Sequence, residues 1–163
     1  GLMEVSAGVA VVDITPPAGL PMAGYVARTG SAIGAHDPLT VRALVIGDTA
    51  VAVADVIGID AEMSGRIRAR CVLDAGRVVV AALHNHGGPV SMGGRLAAGF
   101  DAAYGKRLED ACVQAIDAAA AGARPARLRF GTATDPGVAT NRRHAGGPVD
   151  HALPVLEIIG ANG

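Results

Sequence analysis

Residues 39–57, Leu39-Thr40-Val41-Arg42-Ala43-Leu44-Val45-Ile46-Gly47-Asp48-Thr49-Ala50-Val51-Ala52-Val53-Ala54-Asp55-Val56-Ile57, decide the fold. Two β-branched runs, Leu39 to Ile46 and Ala50 to Ile57, flank Gly47-Asp48-Thr49, and apolar runs around a Gly-Asp turn predict a β-hairpin. Downstream, Asp60 opens a helical pattern. Met63, Ile67 and Cys71 recur at i, i+4 and i+8, Arg66, Arg68 and Arg70 are free to face water, and Gly76 lies just past the end. Arg77 to Leu83 reads as a buried strand. Asp101 then starts the longest helix, with Tyr104, Leu108, Cys112, Ile116 and Ala119 in one stripe and Gly122 at its end. Upstream, Gly8 to Ile14 is a strand stopped by Pro16-Pro17. It leaves into a loop, Ala18 to Asp37, whose length is typical of functional loops.

Ala126 to Thr134 and Ala152 to Ile159 read as two further strands. Strands alternating with helical crossovers, plus one hairpin, imply a single α/β domain over residues 1–163. It is expected to be layered, with a mixed, largely parallel β-sheet flanked by helices. The last strand runs into Gly160-Ala161-Asn162-Gly163, turn chemistry that ordinarily feeds a return strand. The fold therefore reads as cut at a C-terminal hairpin.

Composition narrows the function classes. A chain of 163 residues buries roughly 70% of its unfolded surface. With 50% hydrophobic but only 2% aromatic residues, that core is built from Val, Ala, Leu and Ile. Fourteen basic against fifteen acidic residues exclude the basic excess of a nucleic-acid surface. A mean hydropathy of +0.37 excludes a disordered chain. The longest apolar stretch, Ala50 to Ile59, contains Asp55 and is too short to span a bilayer. Two cysteines are no disulfide framework, and the N-terminus shows no basic region followed by an apolar stretch. The cytoplasm is favoured on that ground.

The strongest local signal is Leu83-His84-Asn85-His86-Gly87-Gly88-Pro89. Two histidines at i, i+2 on extended backbone point to one face, at the strand end where α/β sheets keep their ligand sites. They read either as a metal or catalytic pair or as strand-end histidines satisfied by hydrogen bonds. His-X-His alone is common to several unrelated metal folds. Asp55, near the end of an apolar strand, is either exposed there or orients a histidine, the latter being favoured. Asn141-Arg142-Arg143-His144 is a polar loop whose arginine suits an oxyanion or carboxylate, although in isolation it reads as a solvated basic loop. His36 closes the long loop. Cys71 and Cys112 lie in apolar stripes and read as core thiols, and His144 and His151 as surface-loop histidines.

Taken in order, these segments resemble the N-terminal part of the neutral, non-lysosomal ceramidase family and its shorter bacterial relatives. The resemblance is carried by Ala7-Gly8-Val9-Ala10-Val11-Val12-Asp13-Ile14-Thr15-Pro16-Pro17, Met22-Ala23-Gly24-Tyr25, and Gly34-Ala35-His36-Asp37-Pro38-Leu39 with Arg42-Ala43. Ala54-Asp55-Val56, His84-Asn85-His86-Gly87-Gly88-Pro89 and Asn141-Arg142-Arg143 complete it. Where the family usually has His-Thr-His-Ser-Gly-Pro, this chain keeps both histidines but not the Thr or the Ser.

The resemblance implies a zinc-dependent hydrolase of an amide bond in a small-molecule or lipid N-acyl amide. His84 would ligate one zinc ion, His86 would handle protons or bind substrate, and Arg142 would stand beside the scissile amide. His36, Asp55, Asn141 and Tyr25 would support the site or contact substrate. The family's other zinc ligands, a His, a Glu and a Tyr, come from segments beyond the point where this chain stops. It is then expected to be the N-terminal portion of a larger unit, supplying part of a site. Two other readings stand beside this one. The chain is one half of an autoprocessed amidase whose second polypeptide carries an N-terminal nucleophile, or a non-catalytic scaffold that binds a partner through an unpaired sheet edge.

Overall fold

The computed structural model describes residues 3–161. Its elements are β1 (Met3–Asp13), β2 (Thr40–Ile46), β3 (Thr49–Ala54), α1 (Ala61–Arg70), β4 (Val78–Ala82), α2 (Ala102–Ala121), β5 (Arg124–Thr134) and β6 (Ala152–Gly160). The strands follow the order β4-β3-β2-β1-β5-β6, an α/β fold with a mixed sheet and two helices. The parallel share is smaller than the sequence suggests. Among the described pairings β1–β2, β2–β3 and β5–β6 are antiparallel and β3–β4 alone is parallel. Connections explain this. Gly47-Asp48 joins β2 to β3 as a tight turn with Gly47 at φ 60, and only α1 provides a crossover between neighbouring strands.

The chain divides into two compact units, one of Ser6–Arg124 and one of Gly1–Val5 with Pro125–Gly163. In the larger unit both helices cover one face of the strands. Val41, Ala43 and Val45 of β2 and Ala50, Ala52 and Ala54 of β3 point into a core closed by Leu108, Cys112, Ala115, Ile116 and Ala119 of α2 and by Met63 and Ile67 of α1. The small residues set a close approach. A Cβ on Gly8 of β1 would stand 2.0 Å from the Ala119 carbonyl oxygen, so only glycine admits α2 at this distance.

Aspartate side chains cap both helices, Asp60 accepting from the Met63 amide (2.8 Å) and Asp101 from that of Tyr104 (2.7 Å). The α2 stripe is buried as its period predicts. Helix α1 ends at Arg70, short of the expected stop before Gly76, because Cys71 turns extended and Asp74 caps a separate 3-10 turn at Ala75–Arg77. Its arginines are not simply solvated. Arg66 and Arg70 pair with Glu109, and Arg70 with Asp110, on α2, while Arg68 donates to the Ala75 carbonyl.

Among the described residues, no helix covers the opposite face of β1 to β4. Register places Val9 beside Leu44, Leu44 beside Val51 and Val51 beside Val79, one apolar row across β1 to β4. Val9, Val11, Val51 and Val79 are 73%, 63%, 38% and 52% exposed.

In the smaller unit β5 and β6 form a hairpin in which Phe130 lies opposite Leu156 and Arg129 pairs with Glu157. Strand β6 ends at Gly160 and a turn begins at Ala161; the Asn162-Gly163 part of the expected return turn lies outside the described residues. Among the described residues no helix is long and apolar enough to cross a membrane.

Candidate functional site

Strands β3 and β4 end side by side with Ala54 opposite Ala82, and the site begins just beyond. The two segments stay tied, Leu83 donating to the Ala54 carbonyl (3.1 Å) and Asn85 to that of Val56 (3.2 Å). Between them His84 takes a left-handed conformation, φ 61. The strand geometry expected for His84 and His86 is therefore replaced, since β4 stops at Ala82 and the pleat no longer sets where the rings point. A non-glycine residue held there costs of order 1–3 kcal/mol and persists only when its surroundings hold it. The exposed His84 ring is held by its Nδ1, 2.8 Å from the Ile57 carbonyl oxygen. A carbonyl only accepts, so Nδ1 carries the proton, and in the neutral ring Nε2 keeps a free lone pair.

The rings still converge. His84 and His86 meet edge to face with centroids 4.9 Å apart, and the Tyr25 ring meets His86 at 5.2 Å in the same fashion. The 18–37 loop reaches this place by pairing with the histidine segment: Ala23 donates to the Gly88 carbonyl (3.1 Å) and Val90 to that of Pro21 (3.1 Å). Gly24 makes the approach possible. At φ 108 its missing Cβ would lie within 2.5–2.8 Å of Cγ, Cβ and Cα of His86. Arg28, which the sequence did not single out, donates to the Ala23 and His86 carbonyls (both 3.0 Å) and lies 4.9 Å from the centre of the Tyr25 ring.

Asp55 holds no histidine, contrary to expectation. Its carboxylate accepts from the amide (2.8 Å) and hydroxyl (2.9 Å) of Thr40, with Arg42 at 3.8 Å. The chain turns out of β3 at this point, so its side chain closes the start of β2 instead. Its main-chain carbonyl receives Asn85 Nδ2 (3.1 Å), and Asn85 Oδ1 in turn takes the Gly87 amide. That network shapes one wall of a cleft of about 410 Å³ lined by Met22, His36, Leu39, Asn85, Gly88 and Pro89 among others. His36 is exposed and pairs with its neighbour Asp37 at 3.2 Å. The cleft has the size of a small-ligand site.

Asn141 and Arg142 belong to the smaller unit. Asn141 builds its own loop, Oδ1 accepting the amides of Arg143 and His144 (both 3.0 Å) and Nδ2 donating to Pro148 (3.2 Å). Arg142 is exposed and in no ion pair among the described residues. His151 faces Asp135 at 3.6 Å. Burial pushes the Cys112 thiol up to about 12, and burial with Asp117 nearby lifts Cys71 to about 11, so neither is a ready nucleophile. Among the described residues no three His, Cys, Asp or Glu side chains converge as a metal site. His84 Nε2 suits zinc, but this donor set does not complete a catalytic zinc site, which takes three protein ligands.

No family model and no curated protein matches the sequence. Solved structures do match the fold. A ceramidase complexed with C2 superposes with a TM-score of 0.80 at 25% identity, covering 99% of this chain. Neutral ceramidase from Pseudomonas aeruginosa superposes with a TM-score of 0.77 at 23% identity, again over 99%. The chain spans 30% of the length of each. Nearly every residue of this chain thus has a counterpart in the ceramidase fold.

Proposed function

We propose that this chain is the N-terminal portion of a ceramidase-like zinc amidohydrolase acting on an N-acyl amide. The observation that carries the reading is the His84–Ile57 hydrogen bond. It presets the tautomer that leaves Nε2 as a ligand atom, the arrangement in which metal-binding histidines are held by a backbone carbonyl. His84 would hold the ion; the further ligands have to come from polypeptide outside these residues. Bound there, zinc supplies an activated water and a polarised carbonyl. His86, whose ring meets that of His84, would exchange a proton with substrate. The cleft beside Asn85 and His36 accepts the group next to the scissile bond.

The test is zinc affinity and amide hydrolysis, for the wild type and for His84→Ala. Zinc titration of this chain should show weak binding that the substitution removes, and the complete gene product should cleave a fluorogenic N-acyl amide only with His84 intact. Equal zinc binding by both proteins, with no amide turned over, ends the proposal.

The bare apolar row through Val9, Leu44, Val51 and Val79 supports a second feature of this reading, a further layer of polypeptide over the sheet. Contiguous exposed apolar surface of this kind marks an interaction face. Val51→Asp and Val79→Asp should abolish assembly with that polypeptide while leaving the helix-covered core folded.

A further inference from the structure

Arg28 binds two segments that lie far apart in the chain. Nη1 donates to the Ala23 carbonyl and Nη2 to the His86 carbonyl, 58 positions away, each at 3.0 Å. The same guanidinium covers Tyr25, its Cζ 4.9 Å from the ring centre, and Tyr25 abuts His86. We infer that Arg28 is a positioning residue that sets the His86 ring against Tyr25. The inference rests on the proposed function for the importance of His86, but the contacts are its own.

The chemistry calls for arginine. Two nitrogens of one rigid plane reach two carbonyls from segments far apart in the chain, while the flat face stays free for the aromatic ring. A lysine offers a single ammonium point and satisfies one carbonyl at a time. The backbone at the histidine end also needs holding. His84, two residues from the His86 carbonyl, sits at φ 61, and a non-glycine residue stays there only where neighbours enforce it, whereas Gly24 takes its φ of 108 freely. Arg28 itself is half-buried, which leaves its side chain little room to leave the two carbonyls.

The experiment uses Arg28→Ala and Arg28→Lys, read by proton NMR of the aromatic side chains. In the wild type, Tyr25 and His86 should show a ring-to-ring nuclear Overhauser effect. Both variants should lose it, with His86 ring protons moving toward the positions of exposed histidines. In the complete gene product kcat should fall about 10- to 100-fold with KM little changed, as for a misplaced group. If the wild type turns over no amide, the NMR arm alone decides the inference and only the functional reading is lost. Persistence of the ring contact in Arg28→Ala overturns it. Should Arg28→Ala not fold, a ring contact kept by Arg28→Lys overturns it equally.

Discussion

The Nδ1 atom of His84 stands 2.8 Å from the carbonyl oxygen of Ile57, and this one contact fixes which ring nitrogen is free. Long-range nitrogen–proton NMR correlations at pH 8 should show the Nδ1-protonated tautomer for His84, against the Nε2-protonated form that free imidazole side chains prefer. A His84 spectrum of the ordinary tautomer would remove the argument for Nε2 as a ligand.

Gly24 carries a second prediction. At φ 108, with His86 atoms 2.5–2.8 Å from where a Cβ would be, Gly24→Ala meets both backbone strain and a main-chain clash. The expected loss is about 1–3 kcal/mol from the conformation alone, and the loop should detach from the 86–90 segment. Urea unfolding measures the first effect. Amide exchange at Ala23 and Val90, which bond across to Gly88 and Pro21, measures the second.

Much of this arrangement could be read in advance. Gly47-Asp48 announced the β2–β3 hairpin, Asp60 and Asp101 announced both helix starts, and the period of Tyr104, Leu108, Cys112 and Ile116 announced the face that is buried. These signals are local, so a window of sequence contains them. Ordered motifs in the 7–17, 22–25, 34–43 and 84–89 segments pointed to the ceramidase fold that the structural likeness bears out. What stayed hidden depends on partners far along the chain or on backbone atoms. The acceptor for His84 is a carbonyl, which carries no residue signature. Arg28 reaches 58 residues, and nothing near it in sequence says so. Asp55 chose Thr40, fifteen residues back, over a histidine. The parallel share is smaller than the alternation of strands and helices implies, because α2 leads from β4 to β5, which are not adjacent.

The charged seam between the helices gives a pH-dependent prediction. Glu109 joins Arg66 and Arg70, and Glu109→Gln should cost about 1 kcal/mol or less, as half-exposed pairs do, and less still in high salt. Beside it, Lys106 and then Arg70 hold the Asp110 carboxyl below the ordinary carboxylate range. A depressed folded value means the stabilisation is present above the unfolded pKa, near 4, and is lost as pH falls through the folded one. The Tm difference between wild type and Asp110→Asn should therefore shrink from pH 6 toward pH 2; a difference constant across that range contradicts the pairing.

The thiols give the opposite sign at the alkaline end. Cys112 is fully buried and pushed up to about 12, whereas an unfolded thiol titrates near 9. Above pH 9 the unfolded chain releases a proton that the native chain keeps, so the native state binds more protons and stability must fall as pH rises. The contribution is intact below the unfolded value and drains toward the folded one. Between pH 8 and 9.5 this is on the order of 1 kcal/mol for Cys112. Cys71, whose thiol donates to the Ile67 carbonyl and is lifted to about 11, adds in the same direction, since both folded thiols keep their protons across this window. Urea midpoints at the two pH values should differ accordingly in the wild type and by less in Cys112→Ala, where the Cys71 share remains, whatever the cavity costs that variant at both. An aromatic disulfide reagent at pH 8 should leave Cys112 unmodified for as long as the protein is folded and react fully in urea. Prompt labelling of Cys112 in the native protein would mean that α2 does not pack on the strands as closely as the contact between Gly8 and Ala119 requires.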